Sequence, residues 1–158
     1  MAANYLEQLI AEWYEYQGYF VRRNVLVGKR AKGGYECELD VVAYHPEKVR
    51  LLHIEPSMDA ASWDKREQRY RKKFEAGRIY IPDLFRGMEL PPEIEQIAVL
   101  VFASKQNHQT LGGGKLVLAH ELLEEIFSDL KFKHLSSSAI PEHLSILRSF
   151  QFVTEYRD

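Results

Sequence analysis

Cysteine is almost missing from this sequence. Cys37 stands alone, which excludes an internal disulfide framework and a thiolate metal cluster and suits a reducing, cytoplasmic setting. Long hydrophobic runs are missing too. The longest, Ile97 to Ala103, is far too short to span a bilayer, and the opening MAANYLEQ lacks the basic and apolar parts of a signal peptide. An intracellular protein without a membrane partner is expected. There is little net charge: 21 basic against 23 acidic residues, or -2 overall, so no global basic field draws the chain to nucleic acid. The six histidines show neither HxxxH nor HExxH spacing, which argues against zinc. Gly112-Gly113-Gly114-Lys115 lacks the rest of a phosphate-binding loop, and no serine stands in a nucleophile elbow.

What is present is a globular composition, 46% hydrophobic over 158 residues, which fits one compact domain. Leu6, Leu9, Ile10 and Trp13 recur at helical spacing and predict a helix over 2–17, capped by Gly18. Strands are expected over 19–27, 36–44 and 49–55, the last ended by Pro56. In the second, Cys37, Leu39, Val41 and Ala43 should share one face, with Glu38, Asp40 and Val42 on the other. A second helix should run over 62–76 and stop at Gly77. An irregular crossover over 82–95 leads to a fully buried strand over 97–103 and a polar loop over 104–115. A short strand over 116–119, a helix over 120–130 and a terminal helix opened by Pro141 complete the chain. That order predicts an α/β fold, a mixed sheet flanked by helices.

The chemistry-bearing block is Glu38-Leu39-Asp40, followed by His53-Ile54-Glu55. Two strands joined by a tight turn bring these segments together. With an even-numbered loop, Asp40 and Glu55 face the same side, about 4–6 Å apart. Like charges so placed call for a cation or proton between them, and a hard divalent ion suits such oxygen ligands. Spacing alone also fits two surface charges on a solvated strand face.

The runs Gly18-Tyr19-Phe20-Val21-Arg22-Arg23-Asn24, Glu38-Leu39-Asp40-Val41-Val42-Ala43 and Leu51-Leu52-His53-Ile54-Glu55 together resemble the PD-(D/E)xK nuclease superfamily. The likeness is to its Holliday-junction-resolvase and Mrr-like branch. It spans about residues 5–57 within a recognisable core of about 5–103, leaving about 120–158 as a helical extension. The resemblance implies a restriction endonuclease-like fold and Mg²⁺-dependent (or Mn²⁺-dependent) phosphodiester cleavage of DNA. It implies Asp40 and Glu55 as metal ligands, joined around the metal by the first-helix carboxylate Glu7, with Glu12 as its rival. One position departs from the pattern: Ser57 stands where the family has its lysine. Such a chain either draws its cation from the following helix, Lys65 first and Lys73 second, or keeps the fold without cleavage.

That helix is basic. Residues 62–78 hold seven basic and three acidic residues, a local +4 against -6 for the remainder. At about 100° per residue, Trp63, Tyr70 and Phe74 share a face to be buried, while Lys65, Arg69 and Lys72 lie opposite, flanked by Arg66 and Lys73. Such a stripe suits a phosphate backbone; a merely solvated face has the same pattern. The pattern leaves a homodimer open.

Overall fold

The computed structural model describes residues 4–157. Its first helix, α1 (Tyr5–Tyr16), starts at Asn4, whose side-chain oxygen accepts the N–H groups of Leu6 and Glu7 at 3.0 and 3.2 Å. Residues 2 and 3 of the expected helix lie outside the described residues. Gly18, at φ 96°, turns the chain into the sheet, and a Cβ there would sit 3.2 Å from the His45 ring.

Three strands then form an antiparallel meander: β1 (Phe20–Lys29), β2 (Tyr35–His45) and β3 (Arg50–Ser57). A long helix, α2 (Trp63–Leu84), crosses over to β4 (Glu95–Leu100), which lies parallel to β3. The short β5 (Thr110–Leu111) precedes β6 (Gly114–Leu118), and the six-stranded order is β1-β2-β3-β4-β6-β5. The helices α3 (Ala119–Leu130), α4 (Leu135–Ser138) and α5 (Ser145–Tyr156) follow. The fold is therefore α/β, a mixed sheet flanked by helices. Among the described residues no helix is long and apolar enough to cross a membrane.

The two sheet faces carry different layers. On one, Leu6, Leu9, Ile10 and Trp13 of α1 pack with Val41, Ala43, Leu52 and Ile54, and with Leu122, Ile126 and Leu147 from α3 and α5. On the other, α2 covers the sheet, Ile81 with Val42, Tyr44 and Leu51, and Phe74 with Ala98, Leu100 and Leu116.

Several expectations change. Pro56 does not end β3, which pairs through Ser57↔Leu100. Leu39 does not join Val41 and Ala43 but packs with Val25 and Val27 on the α2 side. Asn24, in the left-handed region at φ 52°, lies between the pairs Arg23↔Val41 and Val25↔Leu39, where the outer β1–β2 arm turns over. Gly77 does not stop α2. It is a mid-helix glycine because a Cβ there would meet His53 Nδ1 at 2.3 Å. Helix α5 begins at Ser145, after a turn in which Leu144 N–H donates to the Pro141 carbonyl. Within the expected polar loop, β5 supplies an edge strand.

Glu12 is fully used by the packing. Its Oε1 accepts the N–H groups of Ile146 (2.9 Å) and Leu147 (3.2 Å) at the start of α5, and its Oε2 accepts from Gln8 Nε2. That removes it from the site and makes it a remote cap joining the two helices. Glu12→Ala leaves both N–H groups unmet and is expected to lower stability by about 2–3 kcal/mol in urea unfolding. Glu12→Gln, which keeps a side-chain carbonyl, should lose less. Equal stability of the alanine variant and the parent would contradict the assignment.

Candidate active site

Asp40 and Glu55 meet where the β2–β3 ladder opens. The last paired residues are Val41↔Ile54, and the Asp40 backbone N–H, next along the strand, donates instead to Glu55 Oε2 at 2.7 Å. The strands part enough for a side chain to enter the ladder, so both carboxyls turn towards α2. There Lys73 Nζ lies 3.2 Å from Asp40 Oδ1 and 2.8 Å from Glu55 Oε1. The expected juxtaposition is thus present, with a lysine ammonium between the two acids. The cleft they line measures about 260 Å³ and also includes Asn4, Ser57, Met58, Asp59, Arg69 and Tyr70.

The cation is Lys73 and not Lys65. Lys65 is exposed in the first turns of α2, two turns (about 12 Å) before Lys73 and turned about 80° from it. Tyr70 and Phe74 anchor the helix on the sheet, and the intervening Lys73 reaches the carboxylates. Tyr70 also donates its hydroxyl to the Glu55 carbonyl at 3.0 Å. Burial, with Glu55 nearby, raises the Tyr70 ionisation, so that hydroxyl remains a donor.

The environments of the two carboxyls push their ionisations apart. Burial first, then the Glu55 charge, pushes Asp40 up to about 6, against the pull of Lys73. Glu55 is more deeply buried, which alone would raise it. The neighbouring His53 and Lys73 outweigh burial, and Glu55 ionises below its ordinary value. Lys73 is raised: burial opposes its charge, but Glu55 and Asp40 together more than offset that.

The remaining predicted residues separate. Glu7 is buried, 3.4 Å from Arg23, and its Oε1 has no hydrogen-bond partner among the described residues. It is near enough to help raise Asp40. Yet no three His, Cys, Asp or Glu side chains among the described residues are gathered closely enough to hold an ion, so Glu7, Asp40 and Glu55 are not a preformed ligand set. Their donor chemistry nonetheless fits a hard cation. Glu55 Oε1, although 2.8 Å from Lys73, lacks a well-directed hydrogen bond among the described residues, as does Glu7 Oε1, and such oxygens suit a hard divalent ion.

The basic stripe is also divided. Lys65, Arg69 and Lys72 are exposed as expected, but Arg66 is buried and donates to the Asp59 carbonyl at 2.7 Å. Arg69 pairs with Asp59 Oδ2 at 2.9 Å. These two arginines fasten the segment after β3, where Asp59 N–H also donates to Ser57 Oγ. Trp63 is only half-buried and stacks on His108 of the β4–β5 connection at 3.9 Å between ring centres.

His53 and Gln96 belong to the site's surroundings and were not singled out together by sequence. His53 lines the strand face of Glu55, but Gln96 comes from β4, and its pairing with His53 depends on the parallel β3–β4 register. Comparison with family models, curated proteins and solved structures finds no match to this chain.

The raised Asp40 ionisation has a definite sign in stability. Between about 4 and about 6 the folded chain holds this proton more firmly than the unfolded one. The stability from this group is full below about 4 and is lost as pH rises through about 6. Asp40→Asn should therefore melt higher than the parent at neutral pH and about equally at pH near 4, by thermal denaturation at both. A variant melting lower at neutral pH would show that Asp40 is stabilised as the anion.

Proposed function

We propose that the protein is a metal-dependent phosphodiesterase, an endonuclease-like enzyme acting on DNA in the cytoplasm. The observation that carries this reading is Lys73 Nζ held between Asp40 and Glu55 at the opening of the β2–β3 ladder. Resemblance to the PD-(D/E)xK pattern calls for two carboxylates on adjacent strands and one cation. Ser57 leaves the usual cation position empty of charge, and Lys73 supplies the charge from α2.

Asp40 and Glu55 would hold a divalent ion, Mg²⁺ or Mn²⁺, with Glu7 adding negative field from α1. Such an ion supplies Lewis-acid polarisation of a phosphoryl oxygen and a more acidic water. The side chains do the rest. Glu55, kept ionised and fixed by the Asp40 N–H, holds its charge at neutral pH. Lys73, with its ionisation raised, remains an ammonium; it serves as a donor to developing phosphate charge and not as a base. The exposed Lys65 and Lys72 offer charge to the phosphate backbone beside the cleft, while Arg69 is already paired with Asp59.

A second reading keeps the fold and the nucleic-acid or protein contact but not cleavage. It is favoured by the Glu7, Asp40 and Glu55 side chains not being gathered as an ion's ligands.

The test is cleavage of DNA by the full chain in Mg²⁺ or Mn²⁺, against Ca²⁺ and chelator. Turnover is expected with Mg²⁺ or Mn²⁺ only, and Asp40→Asn should abolish it while the protein remains folded. Charge reversal at Lys65 and Lys72 should weaken DNA binding regardless of sequence and flatten its salt dependence. Binding without cleavage would favour the second reading. Wild-type turnover in Asp40→Asn would place the chemistry elsewhere.

A further inference from the structure

The buried polar groups behind Glu55 form a directed chain from the β4 side. Gln96 lies beside His53 in the parallel β3–β4 register. Its amide orientation is settled by two outer partners. Nε2 lies 2.7 Å from the Phe74 carbonyl, which can only accept, and Oε1 lies 2.8 Å from Arg78 Nη1, which can only donate. The other hydrogen on Nε2 then points at His53 Nδ1, 3.1 Å away. A ring nitrogen that accepts carries no proton. His53 is therefore the neutral imidazole with its hydrogen on Nε2.

That Nε2 is fully buried and has no hydrogen-bond partner among the described residues, and Glu55 Oε2 lies 3.6 Å from it. The same Oε2 accepts the Asp40 N–H at 2.7 Å, and the opposite oxygen, Oε1, faces Lys73. The ring is held closely. Phe74 packs edge-on at 5.2 Å between centres, and Gly77 has no Cβ, which would lie 2.3 Å from Nδ1. A glycine inside a helix is less favourable than alanine, and here the ring occupies the space it provides.

We infer that His53, its tautomer set by Gln96, is a positioning residue: its Nε2–H, 3.6 Å from Glu55 Oε2 and beyond hydrogen-bond distance, holds that oxygen at the Asp40 N–H by charge–dipole attraction. Its catalytic consequence rests on the phosphodiesterase reading. Its structural consequence does not. The same Gln96 amide also ties down the Phe74 carbonyl, one residue after Lys73, so one side chain of β4 sets both the acid and the cation of the site. Outer partners of this kind change metal affinity or activity by about 10- to 100-fold when lost.

The test begins with the unaltered, isotopically labelled chain in metal-free buffer at neutral pH, where long-range proton–nitrogen correlations report the tautomer. A protonated Nε2 and bare Nδ1 are expected; a proton on Nδ1, or on both nitrogens, overturns the proposal. Two substitutions then separate orientation from packing. His53→Gln retains an acceptor towards Gln96 and an N–H towards Glu55, whereas His53→Phe keeps the ring volume without either. The Asp40 amide resonance, which reports the bond to Glu55, should stay in place in His53→Gln and move in His53→Phe. Mn²⁺ affinity should fall about tenfold or more in His53→Phe and be largely restored in His53→Gln. An unmoved Asp40 amide in a folded His53→Phe overturns the proposal. A wild-type chain that takes up no Mn²⁺ contradicts only the phosphodiesterase reading, because the tautomer and the Asp40 amide are read without metal.

Discussion

Two carboxylates on neighbouring strands, partly withdrawn from water and aimed at the same space, repel one another unless something positive lies between them. Lys73 meets that constraint for Asp40 and Glu55. Much of the surrounding structure is arranged to bring its ammonium there. Helix α2 must run beside the open end of the β2–β3 ladder, and its sheet-facing side is held by Tyr70 and Phe74 while Lys73 reaches inward. Arg66 and Arg69 fasten the chain between β3 and α2 through Asp59, which limits where the helix can start. A shift of one residue along α2 would rotate Lys73 by about 100°, away from the carboxylates.

Asymmetry between the acids follows from their donors. Glu55 is the more buried, yet it has the Asp40 N–H, the neighbouring His53 and Lys73 around it. Among the described residues Asp40 shares only Lys73, and it feels both Glu55 and Glu7. One acid therefore holds its charge firmly and the other holds it at a cost, the condition in which a further cation is most strongly attracted. Glu12, five residues after Glu7 on the same helix, shows the opposite use of a buried carboxylate. Two N–H groups of α5 satisfy it, and nothing remains for chemistry.

Strand alternation, given an even-numbered loop, put Asp40 and Glu55 on the same side of adjacent strands, and helical periodicity put a basic helix after them. The ordered α/β elements were legible for the same reason, since α1, the meander, α2 and β4 each carry a long periodic signal. What failed depended on tertiary contacts. Gly77 reads as a stop signal, but its missing Cβ makes room for the His53 ring inside a continuing helix. Arg66 reads as part of a surface stripe, but Asp59 draws it inward. Leu39 follows its alternation in sequence, yet the β1–β2 arm turns over beside Asn24. Lys65 is nearer to Ser57 in sequence than Lys73, but distance along a helix and angle around it decide which side chain arrives. The Gln96–His53 contact had no local signal, because it joins strands 43 positions apart through their parallel register.

The central claim is that Lys73 does from α2 what a lysine at position 57 would do from β3. Ser57 lines the same cleft, which makes the two positions exchangeable in principle. The most direct measurement is single-turnover DNA cleavage in Mg²⁺ by Lys73→Met and by the double variant Lys73→Met/Ser57→Lys. Loss of the ammonium should slow cleavage by about 10² or more, the scale for removing a preorganised charge stabiliser, and the relocated lysine should recover a substantial part. Cleavage by Lys73→Met at the wild-type rate would contradict the account.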